Sequence, residues 1–156
     1  MRLTICAVGR MKRGPELELV EDYTRRLARL GGQIGLSAIR VSEVEAKRGG
    51  GSAEEARLLE RAQPDGARLV CLDERGKAMS SPDFAKLLAT WRDDGVQDAA
   101  FAIGGADGLT PELRARADLL LSFGPMVWPH MLVRAMLVEQ LYRAASILAG
   151  TPYHRD

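Results

Sequence analysis

The sequence predicts an α/β domain: an open, mostly parallel β-sheet with helices on both faces. Three observations predict it. Residues 3–8, 68–72, 99–103 and Leu119–Ser122 are short, continuous apolar runs without polar alternation, the pattern of strands covered on both faces. Segments with helical spacing separate these runs, which makes βα units and a parallel sheet the natural arrangement. At 156 residues and 46% hydrophobic, residues 1–156 have material for one core and are read as a single domain.

Each element has its own signals. Gly9 stops the first strand, and Arg10, Lys12 and Arg13 follow at the carboxyl edge, where open sheets place ligands and where a solvated loop is the commoner explanation. Pro15 opens a helix to about Leu30 with Leu19, Tyr23, Leu27 and Leu30 on one face, and Gly31-Gly32 ends it. Residues 34–41 read as the second strand and residues 43–51 as a polar, Gly-rich loop. Ser52 and Glu55 have capping-box spacing, which starts a helix to about Ala62 before Pro64-Asp65-Gly66 turns the chain. The third strand gives way to a polar loop over 73–77, and Ser81-Pro82 opens the next helix. After the fourth strand come Gly104-Gly105-Ala106-Asp107-Gly108, then Thr110 as N-cap of a short helix.

Past the fifth strand, the stretch from Phe123 to His130 turns through Gly124 and Pro125 into a helix marked by Pro129. That helix, residues 129–149, is apolar on nearly every side. A helix of this kind must be covered all round, and a second copy of the chain is the expected cover, hence a homodimer. Gly150 ends it, leaving the polar tail Thr151-Pro152-Tyr153-His154-Arg155-Asp156.

Composition excludes several classes. The net charge of +1 gives no overall attraction to polyanions, so nucleic-acid affinity must come from local clusters. Cys6 and Cys71 sit in apolar strands without metal-ligand neighbours and read as reduced core thiols of a cytoplasmic protein. The N-terminal apolar run is too short for a signal sequence, and no run is long enough to span a membrane. The dinucleotide Gly-x-Gly-x-x-Gly fingerprint and the Walker A lysine motif are missing, which argues against a nicotinamide- or flavin-dependent oxidoreductase and against a nucleoside triphosphatase. His130 and His154 are isolated, so no metal is expected. The loops 72–77, 104–108 and 123–130 leave strand ends on one sheet edge and are candidates for one shared pocket, with Gly104 and Gly105 allowing close backbone approach.

Leu72-Asp73-Glu74-Arg75-Gly76-Lys77, Ile103-Gly104-Gly105-Ala106-Asp107-Gly108, the Pro-His-x-Leu-x-Arg core ending at Arg134, Glu139-Gln140-Leu141-Tyr142-Arg143-Ala144 and the terminal Tyr153-His154-Arg155 together resemble the RlmH family. These are 23S rRNA pseudouridine-N3 methyltransferases of the SPOUT class. The resemblance runs from Ala7-Val8-Gly9 to the tail. It implies a C-terminal trefoil knot, a rare exception to unknotted topology, and a homodimer that binds S-adenosylmethionine and acts on 23S rRNA of the ribosome. The family's cofactor contacts fall on Leu72, on Gly104 with Gly105 beside it, and on Phe123, Gly124, Pro125, Met126, Val127 and Trp128. Here the chain departs from the family: Val127 and Trp128 replace a more usual Thr and a smaller apolar residue, and Pro125 removes an N–H donor.

The tail's resemblance makes His154 the expected proton acceptor or relay and Arg155 the stabiliser of charge on the acceptor's carbonyl oxygens. Tyr153, Arg10 and Arg134 are expected on the substrate side, although Arg134 also suits a carboxylate partner at a dimer interface. A catalytically silent RNA-binding homodimer using Arg10, Lys12, Arg13, Arg25 and Arg26 is the alternative.

Overall fold

The computed structural model describes residues 1–155; Asp156, the last residue of the expected tail, lies outside them. Five strands, β1 (Arg2–Val8), β2 (Ile39–Val44), β3 (Arg68–Ala78), β4 (Asp98–Ile103) and β5 (Leu119–Ser122), form one sheet in the order β2-β1-β4-β3-β5. Every pairing is parallel. Helices α1 (Pro15–Gly31), α3 (Ser81–Asp93) and α5 (His130–Leu148) cover one face, where Ile5, Val70 and Phe101 meet Leu27, Leu88 and Leu141. The short α4 (Pro111–Ala115) and α2 (Gly51–Ala62) cover the other, where Cys6, Cys71 and Ala102 meet Leu59 and Leu113. All six residues of β4 are buried, as a strand enclosed on both faces requires. Both cysteines are free and buried, and burial pushes the Cys6 thiol up to about 11 and, with Asp73 adding to it, Cys71 up to about 12. No helix among the described residues is long and apolar enough to cross a membrane.

Several boundaries differ from expectation for local reasons. α1 ends at Gly31 with Gly32 as its C-cap, as expected, but the chain does not turn there; it continues through a 3-10 turn over Gly32–Ile34 and reverses at Gly35, whose φ of 70° is the left-handed conformation glycine adopts freely. The second strand therefore starts at Ile39 and runs to Val44, inside the expected loop. The capping box at Ser52 does not form, because α2 begins one residue earlier; Glu54, not Glu55, folds back to accept from Lys47 N–H at 3.1 Å. Thr110, by contrast, caps α4 as expected, accepting from Leu113 N–H. β3 does not end at Leu72. Its pairing with Leu121 breaks after Leu72 and resumes at Lys77, so the polar segment between them bulges from a strand that continues.

The largest correction concerns α5. It lies against the sheet between α1 and α3, and each of its residues is buried or half-buried within a single chain. Leu141 is fully buried among these partners. One chain thus supplies most of the cover that was assigned to a second copy.

Candidate active site

The carboxyl ends of β3, β4 and β5 open on one cavity of about 660 Å³, within the range of small-molecule sites, roughly 300–1,000 Å³. Leu72, Gly104, Gly105, Phe123, Gly124, Met126, Val127 and Trp128 all line it, together with Ile103, Leu121, His130 and Val133; Pro125 does not. The first and last of the three loops are braced against each other. Ser122 Oγ accepts from Gly124 N–H at 3.0 Å and lies 3.2 Å from the Glu74 carbonyl of the β3 bulge. Asp73, in the same bulge, pairs with Arg114 of α4 at 3.3 Å. The outer rim is open: Met126, Val127 and Trp128 are 68%, 85% and 38% exposed, unusual for large apolar side chains with no partner of their own.

Gly104 serves the loop itself rather than giving a ligand room. A Cβ there would lie 2.7 Å from the Gly108 carbonyl carbon, so the turn closed by Gly108 N–H and Gly105 O can pack only on a glycine. A Cβ on Gly105 would instead meet Val8 at 3.0 Å and the Glu55 carboxylate at 3.1 Å. Glu55, on α2, was not expected here. One of its oxygens is buried without a hydrogen-bond partner. Burial and the nearby Asp107 push its carboxyl up, against the opposing pull of His130 and the Gly105 N–H.

The other expected residues lie elsewhere in the chain. Arg134 is not at the cavity: it is completely buried, donating to Glu43 Oε1 at 2.7 Å and to the carbonyls of Gly9 and Val8 at 3.0 and 3.2 Å. Arg10 is exposed in the connection after β1. The tail folds back on its own chain. Thr151 N–H bonds Ser146 O, the Tyr153 ring packs on Tyr142 with centroids 4.7 Å apart, and the Arg143 guanidinium lies over the Tyr153 ring. Tyr153 Oη donates to Glu139 Oε1 at 2.9 Å and lies 3.2 Å from Tyr23 Oη. Burial and these hydrogen bonds hold its phenol well above the usual range. His154 Nδ1 sits 3.4 Å from Arg143 Nη1. None of residues 151–155 lines the loop cavity of its own chain. Glu139 and Arg143 stand four apart on α5, a spacing visible in the sequence, but their capture of Tyr153 depends on the tail folding back. Among the described residues no group of three or more His, Cys, Asp or Glu side chains is arranged to hold a metal ion.

A parallel α/β sheet whose carboxyl-edge loops close around a small-molecule cavity defines a ligand-binding α/β protein with its site where open sheets place one. The chain belongs to the SPOUT methyltransferase family: the family described as "Predicted SPOUT methyltransferase" matches residues 1–154. It is 64% identical over 155 residues, 99% of either chain, to "Ribosomal RNA large subunit methyltransferase H" of Cereibacter sphaeroides. It is 62% identical over the full length of both chains to the protein of the same name from Roseobacter denitrificans. Among solved structures, a "probable methylase family protein from Haemophilus influenzae Rd KW20" shares the fold, with a TM-score of 0.53 at 12% identity over 99% of this chain and 70% of that one.

Proposed function

We propose that this protein methylates N3 of a pseudouridine in 23S rRNA within the ribosome, with S-adenosylmethionine as methyl donor. The observation that carries this reading is the loop cavity: Leu72, Gly104, Gly105, Phe123, Gly124, Met126, Val127 and Trp128 converge on it in a chain more than 60% identical to proteins named for methylating large-subunit rRNA. The cavity suits the donor. Its apolar walls can sandwich adenine, and the backbone groups of the loops can serve the donor's polar atoms. Bound there, S-adenosylmethionine supplies a methyl group already activated by its sulfonium.

The protein's work is then to align the acceptor nitrogen and manage its proton. His154 takes or relays the N3 proton while Arg155 stabilises charge developing on the flanking carbonyl oxygens. Because the tail packs away from its own chain's cavity, His154, Arg155 and Tyr153 serve the cavity of a partner subunit in a homodimer. An apolar groove between α1 and α5, with Leu19 44% exposed beside Leu132 and Met136, supports a second copy packing there. Arg10 contacts the acceptor side. The polypeptide is threaded as a trefoil knot near β5; the tight crossing at Gly76, where a Cβ would lie 2.7 Å from Leu120 backbone, supports that threading. The protein works in the cytoplasm, where its substrate is.

The test is methyl transfer from tritiated S-adenosylmethionine to ribosomes lacking the modification, with mass spectrometry of the 23S rRNA to locate the methyl group. Incorporation at a base other than pseudouridine, or none, overturns the reading. Binding of rRNA without any transfer would favour the silent RNA-binding homodimer.

A further inference from the structure

We propose that the connector between β1 and α1, carrying Arg10, Lys12 and Arg13, is a phosphate-gripping rail for the rRNA acceptor, and that buried Arg134 is the positioning residue that sets it. This rests on the rRNA substrate proposed above. Arg134 is completely buried, and its guanidinium holds the carbonyls of Val8 and Gly9, the last residue of β1 and the first of the connector, at 3.2 and 3.0 Å. Its other contact, Glu43 Oε1 at 2.7 Å, also accepts from the Met11 N–H at 2.8 Å. Gly9 N–H is in turn bonded to Val44 O at 2.8 Å. One buried cation therefore fixes the chain at three backbone positions, 8 and 9 directly and 11 through Glu43.

The place where the connector is fixed is the cavity's edge. A Cβ built on Gly9 would lie 3.3 Å from Met131 and 3.8 Å from Nε2 of His130, and His130 lines the cavity. Arg10, Lys12 and Arg13, in the residues that follow this anchor, are exposed, and none of them forms an ion pair among the described residues. Glu43, the carboxylate that reaches the connector, is engaged by Arg134 and the Met11 N–H and does not neutralise it. Three unpaired cations following a backbone clamped at the edge of the donor cavity suit the phosphates that flank the acceptor base of a polyanion, in a protein whose net charge is only +1. Burying a guanidinium is costly unless it is matched by well-placed partners, and burial does pull Arg134 below its usual range. An apolar residue could fill the same volume, so the cation's use lies in the connector it holds.

The experiment compares wild type, the triple variant Arg10→Ala/Lys12→Ala/Arg13→Ala, Arg134→Met and Glu43→Gln. It measures S-adenosylmethionine affinity by calorimetry, KM and kcat for ribosomes, and the salt dependence of 23S rRNA binding. In the triple variant, KM rises at least about tenfold with donor affinity retained, and the slope of log K against log salt flattens by about 2, from three lost contacts at roughly 0.7 each. In Arg134→Met, with all three cations still present, the loss again falls on KM and the slope; Glu43→Gln, whose amide oxygen still accepts both bonds, keeps most of the wild-type values. A triple variant with wild-type KM and slope overturns the rail. A folded Arg134→Met with wild-type KM and slope overturns the positioning role, and Glu43→Ala carries the same comparison if Arg134→Met does not fold. Absence of methyl transfer in wild type would count against the enzymatic reading instead, since the salt slope is measured without turnover.

Discussion

Replacing Gly104 by alanine adds one methyl group where the Gly105–Gly108 turn crosses behind β4. The added carbon would lie 2.7 Å from the Gly108 carbonyl carbon, 2.8 Å from its oxygen and 3.1 Å from Leu109 N. Ordinary contact with such atoms begins near 3.4 Å, so the turn must retreat by roughly 0.5–1 Å, and overpacking of this size costs about 1–3 kcal/mol. The obstacle is backbone held by its own Gly108 N–H to Gly105 O bond at 3.1 Å, so no side chain can swing aside to relieve it. β4 itself is untouched, since its six buried residues precede the change. The displaced turn is one wall of the cavity. Gly104→Ala is therefore expected to stay folded by circular dichroism yet bind S-adenosylmethionine at least about tenfold more weakly, a loss of about 1.4 kcal/mol. Gly105→Ala should lose less, because its new carbon meets only side chains, Val8 at 3.0 Å and the end of Glu55 at 3.1 Å, rather than backbone. Calorimetry on both variants decides: wild-type affinity in a folded Gly104→Ala would show that the turn does not shape the donor site.

Much of this was legible in the sequence because it depends on local rules. Continuous apolar runs placed four of the five strands, and Thr110 announced its cap. The three loops could be assigned to one edge because parallel strands put all their carboxyl ends on one side, whatever their order in the sheet. What was missed depends on distant partners. Arg134 reads as a functional cation until Val8, Gly9 and Glu43, more than 90 residues away, are folded onto it. The tail reads only as a polar end whose residues meet the substrate, and its own anchorage is invisible until Glu139, Arg143 and Tyr23 gather around Tyr153. The apolar girth of α5 signalled burial correctly but not by what, since periodicity records that a face is covered and is silent on whether α1, α3 or another chain covers it. Glu55 gave no signal, because its closeness to Gly105 exists only once α2 lies across the carboxyl edge.

Three further outcomes are expected. Leu141→Ala should cost about 2–5 kcal/mol of stability, as a large core deletion in a single chain, whereas Leu19→Glu should leave each chain folded and shift the protein toward monomer in light scattering; a monomeric wild type would remove the dimer. Asp98 is held below its usual range by its hydrogen bonds and charge pairing with Arg2. Its contribution should be complete above the unfolded value of about 3.9 and be lost as pH falls through the lower folded one, so Asp98→Asn should flatten the acid limb of stability against pH in urea titrations; an unchanged limb would refute the pairing. The last outcome concerns the tail, and its anchor and its active groups make opposite demands on the assay. Tyr153→Phe keeps the ring against Tyr142 but removes the bond to Glu139, a loss of about 0.5–1.5 kcal/mol that should loosen the tail without touching the donor site. Arg155→Ala leaves that anchor whole and removes only the charge expected to meet the acceptor. If the tail acts across a homodimer, each single variant should lose methyl transfer with donor affinity intact. Mixed dimers of Arg155→Ala with Gly104→Ala should then regain one whole site, about half the activity of a wild-type dimer, because one cavity still has both an intact donor loop and an intact partner tail. Mixed dimers that recover nothing would mean the tail must swing into its own chain's cavity, which requires Tyr153 to leave Glu139 during turnover.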